Sequence, residues 1–359
     1  MEQSRHFTRC MGRWLMALVL VMLTSLATKA AQAYPYAVYT PSNTTLTFYY
    51  DDQYDNRTGT VYDLPVGGNY PDWLLDGTYA SITRVVFNSS FAQTAPSNTS
   101  FWFFSMANLQ SITGMKQYLN TSQVTDMSYM FGFCQKLASI DLSNFNTANV
   151  TKMKIMFSDC LALTSLDVSG FNTSKVTDMS GMFNNCPGLT SLDVSNFNTS
   201  KVTDMSGMFG NNPGLTTLDL RNFNTSKVTG MATMFLNCSN LRTIYVSSGW
   251  STSAVTNSVN MFADCTSLVG GAGTVYDSNH VDVSYAHIDG GPSNPGYFTE
   301  KSLLGDVTGD GVIDVVDVAA LIQIVLNSTP IDPAVADMNS DGFIDVVDVA
   351  ALITYVLNN

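Results

Sequence analysis

The stretch LTSLDVSGFNTSKVTDMSGMFNNCPG (residues 163–188) decides the fold of this 359-residue chain. Its pattern recurs every 26 residues, with one step of 27. The recurrence is easiest to see in the Phe of a Met-Phe pair, at Phe131, Phe157, Phe183, Phe209, Phe235 and Phe262. A fixed period of this length is typical of repeat proteins, in which each unit is covered only by its neighbours. The sequence therefore predicts a stack of six units.

Two periods alternate within each unit. The pattern L-x-x-L-x-V at 163–168 predicts a short strand with Leu166 and Val168 facing the core. Apolar residues at helical spacing over 176–183 predict a short helix, with Thr177 as its N-cap. One strand and one short helix per unit is the plan of a leucine-rich repeat. We therefore predict an α+β repeat fold, a leucine-rich-repeat solenoid with a parallel sheet on one side.

The flanking segments divide the chain into five parts. An apolar run preceded by three Arg and followed by the small-residue site Ala31-Gln32-Ala33 predicts a secretory signal peptide. The alternative, a membrane anchor, needs about 20 apolar residues, which is more than this run or any later segment supplies. The predicted parts are a signal peptide (1–33), a β-rich N-terminal cap (34–105), the repeats (106–265), a C-terminal cap and linker (266–303) and a small all-α domain (304–359).

The N-terminal cap contains a dense aromatic cluster at 101–104, Phe-Trp-Phe-Phe. Such a cluster can be core beneath the first repeat or an exposed platform for a ligand. The core interpretation is favoured, because the first repeat needs a cover for its apolar side.

Composition excludes some classes of function. Acidic residues outnumber basic ones by 29 to 16, and the formal charge is −13. A protein that follows a nucleic-acid backbone needs the opposite sign, so we expect no nucleic-acid partner. With only three His, the chain also offers little material for His-based catalysis or a zinc site.

The repeats and their flanks resemble a known family. The phrases LDVSNFNTSKVTDMSGMF, TLTFYYDD, ASITRVVFNSSFA and IDGGPSNPGYFT resemble the BspA-like (DUF285-type) leucine-rich-repeat surface proteins of Bacteroidales. The resemblance covers about 34–300. It implies adhesion and binding rather than catalysis, with a glycan or protein ligand of unknown identity.

The cysteines form a column through the repeats. Beyond the predicted signal peptide, all five occupy one repeat position, and Asn212 replaces the residue in the fourth unit; the five are Cys134, Cys160, Cys186, Cys238 and Cys265. Export normally suggests disulfides. However, stacked equivalents lie about 4.8 Å apart with parallel side chains, which is wider than the ~3.8 Å between Cβ atoms that a bridge prefers. We predict buried free thiols rather than disulfides or a metal site.

A second column is acidic. It consists of Asp141, Asp167, Asp193 and Asp219, with Tyr245 in the fifth unit, and is predicted on the exposed face of the sheet. Like charges stacked this closely repel one another unless they are bound, screened or hydrogen-bonded. Two interpretations stay open: a column that is solvated or locally hydrogen-bonded, or a strip that faces a cation or polyol. The second makes these five residues candidates for a ligand face.

The last segment carries a metal-binding pattern. Residues 304–359 contain nine Asp and no Lys, Arg, Glu or His, and two near-identical copies are offset by 31 residues. Each copy supplies oxygen ligands at calcium-loop positions 1, 3, 5, 7, 9 and 12, with Gly at position 6. The predicted ligands of two Ca²⁺ ions are Asp306, Thr308, Asp310, the carbonyl of Val312, Asp314 and Asp317 in the first loop, and Asp337, Asn339, Asp341, the carbonyl of Phe343, Asp345 and Asp348 in the second. Asp at position 12 and Thr308 at position 3 depart from the usual pattern.

One apolar helix is predicted after each loop, at 318–326 and 349–357, with no helix before it. This tandem resembles a type I dockerin, the module that binds a cohesin in cellulosome-like assemblies, over 304–359. The resemblance implies that loop positions 10 and 11 help to choose the partner; here they are Val315, Val316, Val346 and Val347. Hydroxyl-bearing pairs are more usual there. The near-identity of the two halves implies two binding orientations.

These predictions describe a secreted, non-catalytic adhesion protein, released or held at the cell surface, that docks to a cohesin-like partner through a Ca²⁺-dependent dockerin. The alternative is a hydrolytic or auxiliary component of a polysaccharide-degrading complex, since dockerins usually accompany such enzymes. A glycosidase needs two carboxylates that flank a cleft. The Asp column offers carboxylates, but on an open surface.

Overall fold

The structure is a computed structural model that describes residues 32–309 and 312–358. The predicted signal peptide, except for residues 32 and 33, lies outside the described residues. None of the helices within those two ranges is both apolar enough and long enough to cross a bilayer.

The N-terminal cap is a mixed sheet of five strands in the order β3-β1-β2-β4-β5. The strands are β1 (Tyr34–Thr40), β2 (Thr45–Asp51), β3 (Thr60–Asp63), β4 (Arg84–Phe87) and β5 (Ser111–Thr113). β1 is antiparallel to β2 and β3, whereas β4 is parallel to β2 and β5. Aromatic and β-branched residues favour these strands because they pack well on a pleated surface. Phe48 stacks on Trp102 with ring centroids 5.2 Å apart, so the sheet covers the first turns of the repeats.

Short helices complete the cap. They are α1 (Asp72–Leu75) and α2 (Met115–Tyr118), with 3-10 turns at Pro41–Asn43, Tyr54–Asn56, Thr78–Ser81 and Ser89–Gln93. Trp73 in α1 is buried, and its Nε1–H donates to the carbonyl of Trp102 at 3.0 Å. In the aromatic cluster Trp102 and Phe103 are buried, as the core interpretation predicts, whereas Phe101 and Phe104 are half-buried.

The predicted strands of the repeats form only in part. Leu166 is half-buried and Val168 is buried, while Ser165, Asp167 and Ser169 are exposed, so the predicted alternation is correct. Between β5 and β6, however, the described chain forms no strand. A parallel sheet appears only at the C-terminal end, in the order β6-β7-β8, from β6 (Thr217–Asp219), β7 (Thr243–Val246) and β8 (Phe298–Glu300).

The predicted helix in each repeat is wrong. The N–H groups of Met179, Gly181 and Phe183 donate to carbonyls of the next unit at 2.8–3.0 Å, so alternate residues bond between units instead of along a helix. Gly181 (φ 61°) and Asn185 (φ 53°) adopt the left-handed conformation that makes this alternation possible. The resulting hydrogen-bond ladder, rather than a sheet, joins most units, and its first unit begins with the bridge from Asn98 to Asp126.

The core of the stack consists of columns of identical side chains. Phe157 stacks on Phe131 at 5.6 Å and on Phe183 at 5.9 Å, with the rings within 4° of parallel. Met, Val and Leu of each unit are buried beside them. The C-terminal end is closed by β8 and by 3-10 turns at Val283–Tyr285 and Gly291–Ser293.

The C-terminal segment has a core of its own. Its regular elements among the described residues are the helices α3 (Val315–Asn327), α4 (Pro333–Ala336) and α5 (Val346–Asn358). The small core comprises Val318, Leu321, Ala336, Val349 and Leu352. The two long helices start three residues before their predicted positions, and the one-turn helix α4 precedes the second loop, where no helix was predicted.

Candidate calcium loops and ligand face

An Asp pair begins each long helix. In the first, Asp314 accepts from the N–H of Val316 at 2.6 Å, and Asp317 accepts from the N–H of Asp314 at 2.9 Å. This reciprocal pair is a capping box, which satisfies two of the free N–H groups at a helix start. Asp345 and Asp348 make the equivalent bonds at 2.7 and 2.8 Å. The D-x-x-D spacing, which provides calcium positions 9 and 12, also accounts for the early helix starts.

The position-12 carboxylates are fully buried. Asp317 accepts from the N–H and the hydroxyl of Thr308, both at 2.9 Å. Asp348 accepts from the N–H of Met338 at 2.8 Å and of Asn339 at 3.3 Å. These bonds tie the start of each loop to its helix. Because residues 304–359 contain no Lys, Arg or His, no basic side chain of the segment neutralises the buried charges.

The second loop brings its early positions together. Asp337 accepts from the N–H groups of Asp341 at 3.1 Å and Gly342 at 2.9 Å, and the Asn339 amide donates to Asp341 at 2.9 Å. Gly342 has a φ of 87°, as a sharp turn at position 6 requires. Positions 1, 3 and 5 therefore share one turn. In the first loop, Asp310 lies outside the described residues.

The donor set of the loops fits calcium. All predicted side-chain ligands offer oxygen, and Ca²⁺ takes six to eight oxygen ligands. The buried, unneutralised Asp317 and Asp348 favour a cation nearby. Within the described ranges, no three His, Cys, Asp or Glu side chains lie close enough to share an ion.

The predicted partner-binding residues lie in the first turn of each long helix. Val315 and Val346 are 69% and 70% exposed, and Val316 and Val347 are 54% and 51% exposed. Each helix continues this apolar surface with two more exposed residues at helical spacing; these are Ile322 and Leu326 in α3, and Ile353 and Leu357 in α5. The two halves therefore present closely similar apolar stripes, each typical of a docking surface.

The acidic column is not uniform: Asp141, Asp167 and Asp193 are exposed, whereas Asp219 is half-buried. Asp141 pairs with Lys116 at 3.2 Å, and Asp219 pairs with Arg221 at 2.8 Å and with Lys301 at 3.4 Å. Lys301 also lies 4.7 Å from the ring centroid of Tyr245. The two ends of the predicted ligand face are thus neutralised by cations, one of which comes from the linker.

The middle of the column carries its charge without an ion pair among the described residues. Asp167 accepts from the N–H of Ser169 at 3.0 Å and from its hydroxyl, and Asp193 accepts from the N–H of Ser195 at 2.9 Å. The hydrogen bonds from Ser169 lower the pKa of Asp167. Local hydrogen bonding therefore stabilises the exposed charges, which explains how the column tolerates its own repulsion.

The cysteine column contains free, buried thiols. Each Sγ donates to a phenylalanine carbonyl one unit back: Cys134 to Phe103 in the N-terminal cap, and the others to the phenylalanine of a Met-Phe pair, as Cys160 does to Phe131 at 3.3 Å and Cys238 to Phe209 at 3.1 Å. Burial raises the pKa of Cys238 to about 11, and it also raises the pKa of Cys134 and Cys265. The thiols therefore act as small internal hydrogen-bond donors.

Two family models match the chain. The sequence profile described as "Mycoplasma protein of unknown function, DUF285" matches residues 97–191 and 188–287, more than half of the chain. The chain belongs to this family. The DUF285 match begins at 97, next to the bridge at Asn98 where the hydrogen-bond ladder starts.

A second profile, the type I dockerin domain, matches residues 304–357 of this DUF285 protein. Type I dockerins bind Ca²⁺, and a dockerin implies binding to a cohesin. Both resemblances that the sequence predicts are thus confirmed.

Two solved structures are similar to this chain, each at 15% identity. A leucine-rich repeat protein from Eubacterium ventriosum covers 65% of this chain and 95% of its own, with a TM-score of 0.21. A leucine rich cell surface protein from Faecalibacterium prausnitzii covers 67% and 94%, with a TM-score of 0.19. These TM-scores are too low to support a structural argument. No curated protein matches the sequence.

Proposed function

We propose that the chain is a secreted, non-catalytic binding protein. A leucine-rich-repeat solenoid presents its exposed face to a glycan or protein ligand, and the C-terminal dockerin attaches the molecule to a cohesin-like partner. The observation that carries the proposal is the type I dockerin match at 304–357, in a chain whose repeats belong to the DUF285 family. Surface proteins of the BspA-like kind and dockerin-bearing proteins are typically extracellular.

Two Ca²⁺ ions would hold the dockerin loops in this proposal. In the second loop the ligands would be Asp337, Asn339, Asp341, the carbonyl of Phe343, Asp345 and Asp348, and in the first the equivalent residues from Asp306 to Asp317. Calcium would supply positive charge to a segment that contains nine Asp and no basic residue. The chain's own contribution is the pair of capping boxes, which orient Val315 and Val346 at the helix starts.

The recognition surface is proposed at the middle of the acidic column. Asp167 and Asp193 are exposed and paired only with serines, whereas Lys116 occupies one end of the column and Lys301 the other. An ionised carboxylate is an acceptor that a ligand hydroxyl or cation can use. A repeat surface with such groups at regular spacing suits an extended ligand.

The alternative, a hydrolytic or auxiliary role in a polysaccharide-degrading complex, is favoured by the dockerin itself. Hydrolysis of a glycosidic bond uses a general acid with a raised pKa. In the column, hydrogen bonds from Ser143 and Ser169 lower the pKa of Asp141 and Asp167 instead. Release of reducing sugar from plant or host glycans by the purified chain would favour the enzymatic alternative over ours.

A pull-down tests the docking role. The full chain is incubated with a panel of recombinant cohesins in Ca²⁺ and in EDTA. We expect at least one cohesin to be retained in Ca²⁺ only. Val315→Asp with Val346→Asp should abolish retention, since it places charge on both apolar stripes, whereas Asp332→Asn, outside both loops, should not. Equal retention in EDTA, or no effect of the double substitution, contradicts the proposal.

A further inference from the structure

A cavity of about 690 Å³ lies in the C-terminal cap, and none of its lining residues belongs to the acidic column or to the dockerin. It opens between the loop after the last repeat and the loop that leads to β8. Ligand-binding cavities typically measure about 300–1,000 Å³ and combine aromatic walls with a few polar groups. The side chains that matter here are Thr274, Tyr276, Asp277, Ser278 and Tyr285.

One buried carboxylate holds both walls. Asp289 accepts from the N–H of Ala272 at 2.9 Å, and from the N–H and the hydroxyl of Thr274 at 2.9 and 2.7 Å, on one loop. It accepts from the N–H of Gly291 at 2.9 Å on the other. Burial alone would raise the pKa of Asp289, but these hydrogen bonds lower it well below its usual range. The two loops are therefore fixed relative to each other before any ligand arrives.

The aromatic walls are also fixed. Tyr285 stacks on His280, with centroids 4.1 Å apart and planes within 11°, and its ring meets the edge of buried Tyr297 at 5.1 Å. The hydroxyl oxygen of Tyr276 accepts from the N–H of Asp264 at 3.1 Å. Both lining tyrosines are half-buried, so each is anchored while part of its surface stays available.

The polar lining defines the ligand. The Asp277 side chain is 44% exposed, accepts from Asn279 and lies 3.9 Å from Nε2 of His280, and none of the described residues that line the cavity is a Lys or Arg. An anion would meet a carboxylate and no Lys or Arg, so anionic ligands are disfavoured. Hydroxyl donors, in contrast, find a carboxylate and the hydroxyl oxygens of Thr274 and Ser278. The lining thus suits a neutral ligand that has an apolar ring face and several hydroxyl groups.

We propose that this cavity binds one neutral pyranose unit of a glycan. The C–H face of the sugar contacts Tyr276 and Tyr285, and its hydroxyl groups donate to Asp277 and Ser278. Asp289 is a positioning residue that holds the two loops. The site lies outside the acidic column, so it goes beyond the recognition surface proposed above and does not depend on it.

Titration calorimetry of the full chain tests this site, with cellohexaose, xylohexaose and mannohexaose as probes. We expect at least one of them to bind. Tyr285→Ala and Asp277→Asn should each weaken that binding by about tenfold or more. Asp63→Asn, at an exposed position of the N-terminal cap, serves as the matched control and should leave it unchanged. Thermal unfolding of each variant checks the fold. If Tyr285→Ala unfolds the cap, the result for Asp277→Asn decides, because the Asp277 side chain is 44% exposed and its replacement should leave the fold intact.

Three results overturn the proposal. One is that the chain binds none of the three oligosaccharides. Another is that Asp193→Asn weakens binding while the cavity variants do not, which would place the glycan on the acidic column and support the recognition surface alone. The last is that chondroitin sulfate, an anionic glycan, binds more tightly than the neutral probes.

Discussion

The side-chain oxygen of Asn212 accepts a hydrogen bond from the N–H of Cys186 at 2.8 Å, across the gap between two units. The same amide donates to the carbonyl of Phe183 at 2.8 Å, the bond that a thiol makes in the other units. Asn212 is fully buried. One amide thus replaces a thiol in the column and supplies both a donor and an acceptor to the preceding unit.

Substitution of Asn212 tests this role. Asn212→Ala leaves the Phe183 carbonyl and the Cys186 N–H without these partners, and we expect a loss of about 3 kcal/mol in the free energy of unfolding. Asn212→Cys restores the donor to Phe183 and should cost about 1 kcal/mol. Urea unfolding monitored by fluorescence gives both values. Equal destabilisation by Ala and Cys would show that the bond to Phe183 contributes nothing.

A buried threonine column makes a second test possible. The hydroxyl of Thr173 donates to the carbonyl of Asn198 at 3.0 Å and accepts from the N–H of Asn198 at 2.7 Å. Thr173→Val keeps the shape but removes both bonds, and should destabilise the chain by about 2 kcal/mol. Thr173→Ser keeps the hydroxyl and is the control, with a smaller loss. The prediction fails if Val is tolerated as well as Ser.

The thiol column predicts a chemical and a pH response. Native protein without residues 1–33 should resist alkylation. After denaturation, it should show five free thiols by mass spectrometry, one for each of Cys134, Cys160, Cys186, Cys238 and Cys265. Burial raises the folded-state pKa of Cys238 to about 11, above the unfolded value of about 8.5. Stability should therefore be full below pH ~8.5 and fall as the pH rises towards 11. A mapped intramolecular disulfide would contradict this.

Asp348→Asn should weaken calcium binding. Without metal, the change replaces a carboxylate oxygen that accepts from backbone N–H groups by an amide that donates, so the melting temperature of the helical signal in EDTA should not rise. With Ca²⁺ it removes a ligand and should weaken calcium affinity by on the order of tenfold or more. Circular dichroism reports mainly on α3 and α5, the longest helices described. Asp332→Asn, at the N-cap of α4, is the control. If Ca²⁺ stabilises the variant as much as the wild type, Asp348 is not a ligand.

The uneven acidic column predicts uneven effects on adhesion. Replacing Asp167 and Asp193 by Asn should weaken binding to an adhesion ligand by about tenfold, because these carboxylates are not engaged by a cation in the structure. Replacing Asp141 and Asp219 is the matched control and should have a smaller effect, because Lys116 and Lys301 already pair with them. Binding to immobilised mucin and plant glycans, with circular dichroism as the fold check, compares the two double variants. Equal losses would assign no special role to the middle of the column.

Burial was predictable from the sequence because it follows periodicity. Val168 and Leu218 are buried as the strand pattern predicts, even though only the second lies in a strand. The helix prediction is wrong because the spacing of apolar residues does not report the sign of the backbone φ angles. Gly181 and Asn185, four residues apart, are residues that tolerate positive φ, and that signal could have indicated the ladder.

In the candidate sites, too, the sequence predicts what depends on local spacing and does not predict contacts between distant residues. The calcium-loop spacing is local, so the shared turn of Asp337 and Asp341 was within reach of the sequence. The contact of Lys301 with Asp219 joins residues 82 positions apart in the chain, and no periodic pattern encodes it. The sequence does not predict the cavity in the C-terminal cap for a similar reason, since its walls come from two irregular loops that Asp289 and Tyr297 join.

The ladder between units has a consequence for how the protein can change length. The units at 163–188 and 189–214 differ at only three positions, and each donates to the next unit in the same way. Insertion or loss of one 26-residue copy would leave every backbone bond with a partner and both ends unaltered. Unequal recombination in the gene could therefore lengthen or shorten the protein in whole steps, and natural variants should differ in unit number more readily than in the sequence of either end.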